Sequence, residues 1–224
     1  MSSPPLPQAP VKLFLHVCAV NNAERIVGEI IAAVHMSGLY RELAAAYVYI
    51  CGDAAVIPAV SARVLRSCAK FSVVKTAPGD TTYERLTLTD MHRHVAPGDH
   101  VLYLHSKGVT QVGTPREAPV ADWLYAMLYH LVGRHRECRE RLAAGVQTVG
   151  MNYRGGEKPH WNGNTLWVRG DYLLTLPTAI GPDYFAPEQE FLFLNNPSYH
   201  EIYHSVNVQH YTTLYPPAMY VDRM

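Results

Sequence analysis

His105, Ser106 and Lys107 bring an imidazole, a hydroxyl and an ammonium to the end of one short apolar run, Val101-Leu102-Tyr103-Leu104. The run is β-prone and is bounded by Pro97-Gly98-Asp99 before it and Gly108 after it, so it reads as a buried strand. In an open parallel sheet, ligands sit outside the carboxyl ends of the strands. A strand that delivers these three groups to its own carboxyl end suits an anionic ligand, with Lys107 stabilising the negative charge.

The elements that must position this strand follow a regular rhythm. Residues 12–20 are apolar on both faces, as in a parallel strand buried between helices. Asn21 and Asn22 then punctuate the chain, and either side chain suits a helix N-cap. The spacing of Ile26, Val27, Ile30, Ile31 and Val34 predicts a helix over 23–37, which Ser37-Gly38 ends. Residues 46–51 read as a second strand, 56–68 as a helix with Pro58 near its start, and 71–75 as a third strand. Thr81 with Glu84 fits a capping box for a helix running to about 94. After the organising strand, 108–119 reads as a loop over the site. Residues 120–144 carry the stripe of the longest helix, and 146–153 a fifth strand.

This alternation predicts an α/β fold with a mostly parallel sheet and helices on both faces. Beyond residue 153 the rhythm loosens. A short strand at 165–168, a short helix at 170–176, a helix starting at Pro187 or Glu188 and a last strand at 206–211 are expected. The reading is one domain over 11–224. Residues 11–110 form a nucleotide-type half and 111–224 an irregular half for a second substrate, after a disordered tail at 1–10.

Composition narrows the class. The chain has 224 residues, 48% hydrophobic and 17% charged, which is globular in character. Lys plus Arg and Asp plus Glu balance at 19 each, so no basic excess points to nucleic acid. Cys18, Cys51, Cys68 and Cys138 lack metal spacing and read as reduced thiols. No apolar run reaches the roughly 18 residues of a membrane span, and residues 1–10 lack a secretion signal. A cytoplasmic location is expected. No GxGxxG follows the first strand, and no P-loop is present.

LYLHSKGV (102–109), Asp122-Trp123, VGMNY (149–153), HWNGNTLWVRGDYL (160–173) and PEQEFL (187–192) occur in this order, with SGLY (37–40) and YERLTL (83–88) upstream. The ordered set resembles GT-A-fold glycosyltransferase domains of large algal, chlorella-type viruses and of bacteria. The resemblance covers about residues 12–220. It implies a GT-A-like (Rossmann-like) fold and transfer of a sugar from a nucleotide diphosphate donor, such as a UDP-sugar, to a glycan hydroxyl. A viral protein of this kind would work in the host cytoplasm. The donor would meet Val17, Cys18, Val20, Asn21, Asn22, Thr82, Tyr83, His105, Ser106 and Lys107.

Most enzymes of this fold hold a divalent metal with Asp-x-Asp where the organising strand ends. Here His105-Ser106-Lys107 stands instead. Either Lys107 neutralises the diphosphate as a point charge, or Mn²⁺ or Mg²⁺ is held by His105 or His210. Transfer with inversion needs a carboxylate base. Glu188, Glu190 and Asp171 are the candidates, and the resemblance favours Glu188. Trp161, Asn162, Gly163 and Asn164 would line the sugar and acceptor site, the indole stacking on a sugar face while the amides read hydroxyls. Two rival expectations remain. One is a catalytically degenerate domain that binds nucleotide sugar or glycan. The other is a different nucleotide enzyme, such as a nucleotidyltransferase.

Overall fold

The computed structural model describes residues 9–79, 83–206 and 209–221. Residues 1–8 of the expected tail, Thr81 of the expected capping box, Thr82, and residues 207 and 208 of the expected last strand lie outside the described residues, as does the side chain of Glu190.

Strand β1 (Val11–Ala19) leads into helix α1 (Ala23–Met36). A short helix α2 (Leu39–Glu42), strand β2 (Leu43–Gly52), helix α3 (Ile57–Ser67) and strand β3 (Phe71–Pro78) follow. Helix α4 (Arg85–Leu88) and a 3-10 turn (Met91–His94) then precede strand β4 (His100–His105). Helices α5 (Glu117–Met127) and α6 (His135–Ala143) flank a wide turn at Leu128–Gly133. Strand β5 (Thr148–Met151), the hairpin β6 (Tyr153–Arg154) and β7 (His160–Trp161), strand β8 (Leu166–Arg169), helix α7 (Gly170–Leu173), a second wide turn (Pro187–Phe191) and strand β9 (Tyr199–Tyr203) complete the order.

The sheet runs β3-β2-β1-β4-β8-β5-β9. Only β8 runs against its neighbours, pairing antiparallel with both β4 and β5. Alternation along the buried strands fills two layers. Leu13, Leu15 and Val17 pack under α1, α3, α5 and α6. Phe14, Tyr49, Val101 and Tyr103 pack on the other face, under α4, α7 and the β6–β7 hairpin. The fold is therefore a single α/β domain with a mostly parallel sheet and helices on both faces.

Three expected elements are broken, each for a local reason. The helix expected over 120–144 splits because the indole N–H of Trp167 donates to the Leu131 carbonyl at 2.7 Å, taking it from the helical ladder. The helix expected from 81 to 94 shrinks to one turn. Tyr83 has a positive φ of 55°, and Thr89 Oγ1 donates to the Arg85 carbonyl at 2.7 Å. The strand expected over 146–153 stops at Asn152, whose φ is 57°. The chain there turns from the main sheet into the hairpin. Among the described residues the last strand is β9, which pairs parallel with β5 and sends Ile202 into the core; the strand expected over 206–211 falls partly on residues 207 and 208, outside the described residues. Among the described residues, no helix is long and apolar enough to cross a membrane.

Candidate functional site

The carboxyl ends of β1 and β4 are stitched together. Ser106 N–H donates to the His16 carbonyl at 2.9 Å, and the Cys18 N–H donates to Ser106 Oγ at 2.9 Å. Ser106 is thus a brace between the strands as well as part of a wall. Lys107 follows, with its ammonium 3.8 Å from the centre of the Trp123 ring. A desolvated cation over an indole face gains on the order of 2 kcal/mol, which fixes the otherwise mobile lysine stem. Beyond it opens a cleft of about 230 Å³, walled by His16, Cys18, Glu84, Gly163, Asn164, Glu188 and Tyr211 as well as by the strand end.

A ring of hydrogen bonds closes the cleft floor. His105 Nε2 donates to the Gly163 carbonyl at 2.7 Å, and Nδ1 lies 3.1 Å from Glu84 Oε1. The Asn164 amide donates to the other carboxyl oxygen of Glu84. Glu188 hangs from the ring, accepting the Gly163 N–H at 3.0 Å. Gly163 is required at this hub. Its φ is 99°, and a Cβ there would stand 2.9 Å from Met127 Sδ and 3.0 Å from Trp123 Cζ2.

The electrostatics follow from this packing. Burial, with the charge of Glu188 nearby, raises the Glu84 carboxyl from its ordinary 4.5 to about 7. Burial, with the charge of Lys107, lowers His105 from 6.5 to about 3. Between about pH 3 and pH 7 the one proton between them therefore sits on Glu84, which donates to His105 Nδ1. The imidazole stays neutral and keeps its Nε2 proton on Gly163. Burial also lowers Lys107, while Glu188 and Glu84 hold it up.

Of the residues singled out in the sequence, Cys18, Tyr83, His105, Ser106, Lys107, Gly163, Asn164 and Glu188 meet in this cleft. The other described ones do not line it, Thr82 and the Glu190 side chain lying outside the described residues. Val17 points into the opposite layer, and Val20 packs against that same layer. Asn21 spends its amide on the Val109 carbonyl at 2.8 Å, and Asn22 stands at the N-cap of α1 without the side-chain capping hydrogen bond expected of it. Trp161 is 2% exposed and sits among Tyr153, Phe193 and Tyr199 against Gly150, where a Cβ would be 2.4 Å from its ring. Asn162 is not part of the cleft wall; its backbone N–H donates to the Asn152 carbonyl at 3.1 Å.

Asp171, expected among the candidate bases, stands away from the cleft. Antiparallel pairing sets Arg169 opposite His100, so β8 delivers Asp171 to the far end of the sheet from His105. There it pairs with Arg169.

The sequence reading missed Glu84 as a site residue, because its spacing from Thr81 suggested a cap. The carboxyl is turned instead to His105 and Asn164. Also missed were Tyr184 and Phe185, 63% and 50% exposed at the cleft mouth, with Tyr184 edge-on to Tyr83 at 5.2 Å. The consecutive aromatics Tyr184-Phe185, set between Pro182 and Pro187, are the signal that the sequence offered.

The donor set fits a resident divalent ion poorly. Both nitrogens of His105 are engaged in the ring. His210 is 2% exposed, stacked on Trp123, with Nε2 accepting from Asn152 at 3.1 Å. Among the described residues, no three His, Cys, Asp or Glu side chains converge to hold a metal.

No family model matches the chain, and no curated protein matches it. Several solved structures are distantly similar, among them the following two. One is 4-diphosphocytidyl-2C-methyl-D-erythritol synthase from Anaerococcus prevotii DSM 20548, at 8% identity and a TM-score of 0.41 over 75% of each chain. The other is a homologue of Mycobacterium tuberculosis rv0371c from Mycobacterium sp. strain JC1, at 13% identity and a TM-score of 0.39 over 85% of each chain. These likenesses are too distant to carry a function over.

Proposed function

We propose that the protein is a glycosyltransferase that moves a sugar from a nucleotide diphosphate donor to a glycan hydroxyl. The observation that carries the reading is one cleft at the strand ends holding a cation, Lys107, and a carboxylate, Glu188, on opposite chain halves. Transfer needs both. The acceptor hydroxyl attacks the anomeric carbon, the bond from that carbon to the diphosphate breaks, and the nucleoside diphosphate leaves with its charge against Lys107. Glu188 takes the hydroxyl proton. Attack from the face opposite the leaving group inverts the anomeric centre.

The ring of Glu84, His105, Gly163 and Asn164 is a positioning device. It holds the Gly163 N–H on Glu188, so the base is oriented before substrate arrives. A cleft of about 230 Å³ suits the sugar and its attached phosphate. The nucleoside would then lie outward along Tyr83, Tyr184 and Phe185, whose rings offer flat faces to a base. Lys107 replaces a metal in this scheme, and no step is routed through an ion.

A thermal-shift screen against UDP, GDP, CTP and the UDP- and GDP-sugars, each with Mn²⁺, Mg²⁺ or EDTA, tests the reading. Ligand at about 100 times Kd stabilises a protein by about 2.7 kcal/mol. A shift with one nucleotide sugar that survives EDTA, followed by donor turnover in the presence of glycan acceptors, supports the scheme. A shift with the sugar and no turnover favours a binding domain. Response to CTP alone favours a nucleotidyltransferase, and no response to any of them removes the reading.

A further inference from the structure

Cys18 and Cys51 stand opposite each other in the parallel register of β1 and β2. In-register neighbours on adjacent strands lie about 4.8 Å apart, within the roughly 4.4–6.8 Å between Cα atoms at which disulfides form. Strand alternation turns both side chains to the same face, the one that carries the cleft. Neither is in a disulfide.

Their environments differ in a useful way. Cys18 is half-buried and forms part of the cleft wall, where a small reagent can approach it. Cys51 is 2% exposed behind it, with His16 Nε2 3.6 Å from its sulfur. A hydrogen bond from Cys51 lowers the Cys18 thiol to about 7 against the opposing effect of burial. Thiolate is the reactive form. The other two thiols lack this setting. Cys138 is fully buried and pushed up by that burial, and Cys68 is half-buried at the end of α3, away from the cleft.

We propose that Cys18 and Cys51 form a two-thiol redox couple in the cleft wall, in which Cys18 attacks a low-molecular-weight disulfide and Cys51 resolves it. In the first step the Cys18 thiolate attacks one sulfur of the reagent. A mixed disulfide forms and one small thiolate leaves. In the second step the Cys51 sulfur attacks the Cys18 sulfur, the mixed disulfide breaks, and the second small thiol leaves with the proton from Cys51. The protein loses two hydrogens and the reagent gains them. The inference does not depend on the glycosyltransferase reading.

The test is oxidation of the reduced full chain with oxidised 2-mercaptoethanol, followed by intact mass and a non-reducing peptide map. The expected product has lost two hydrogens, carries no adduct, and yields one linked peptide pair joining Cys18 to Cys51. Cys51→Ser should instead accumulate the adduct on Cys18, and Cys18→Ser should leave Cys51 unmodified. An adduct that persists on Cys18 in the unsubstituted chain overturns the proposal, as does first reaction at Cys68 or Cys138, or no reaction. The map of the unsubstituted chain decides even where a serine variant folds poorly.

Discussion

Glu84 Oε1 lies 3.1 Å from His105 Nδ1, and through this contact a carboxyl from the turn before α4 and an imidazole from the end of β4 share one proton. Each side chain would titrate alone in an unfolded chain. In the folded protein they form half of a ring whose other half, Gly163 and Asn164, comes from a loop some sixty to eighty residues away. The proton has changed hands on folding: the imidazole holds it in the unfolded chain near pH 5.5, the carboxyl in the native one.

That exchange has a signature in stability against pH. His105 is lowered from 6.5 to about 3, so the unfolded state binds more protons over that window and stability rises with pH. Glu84 is raised from 4.5 to about 7, so the native state binds more protons there and stability falls with pH. The two contributions cancel between about 4.5 and 6.5. In Glu84→Gln the cancellation is removed. Denaturant unfolding between pH 4 and 8 should show stability rising steadily to about 6.5 in the variant, over a range where the unsubstituted chain gains nothing from this pair. Parallel curves would disprove the shared proton.

Lys107→Met should weaken binding of a nucleoside diphosphate about 10- to 100-fold, since a hydrogen bond to a charged group contributes about 1.5–3 kcal/mol. Isothermal titration calorimetry at two salt concentrations measures this. The salt dependence should flatten with the charge gone. Unchanged affinity would mean that the diphosphate does not meet Lys107.

Gly163→Ala should destabilise the fold by about 1–3 kcal/mol, because alanine is strained at φ 99° and its methyl meets Met127 and Trp123. It should also disturb Glu188, which hangs on the Gly163 N–H. Urea unfolding reads the first effect and donor turnover the second. A variant as stable and as active as the parent would show that the loop has slack there.

Glu188→Gln and Asp171→Asn separate the two ends of the sheet. Removing a base costs about 10²–10⁴ in turnover with donor binding preserved, so Glu188→Gln should lose activity and keep its thermal shift. Asp171→Asn should keep both. It sheds only a partly exposed pair with Arg169, worth about 1 kcal/mol or less. Steady-state kinetics on the two variants decides, and the reverse pattern would move the chemistry to the other end.

The pattern of apolar residues determined most of the parallel half of this protein, though not the short α2 or the break in the helix expected over 81–94. Residues 12–20 and the stripe of Ile26, Val27, Ile30, Ile31 and Val34 became β1 and α1 within a residue or so, because period and burial are local consequences of side-chain type. The strand end at His105-Ser106-Lys107 was legible for the same reason. What only the tertiary structure decided is which distant groups face it. Asp171 and Glu188 are both candidate bases as residue types, and only the resemblance favours Glu188. The antiparallel course of β8 sends one to the far end of the sheet, while the second wide turn brings the other to Gly163. Glu84 likewise has the spacing of a cap, and only the approach of β4 and the 160–164 loop turns its carboxyl into a buried proton holder. Local pattern is written in neighbouring residues. The meeting of Glu84, His105, Gly163 and Glu188 depends on strand direction and chain return, which involve contacts across most of the chain.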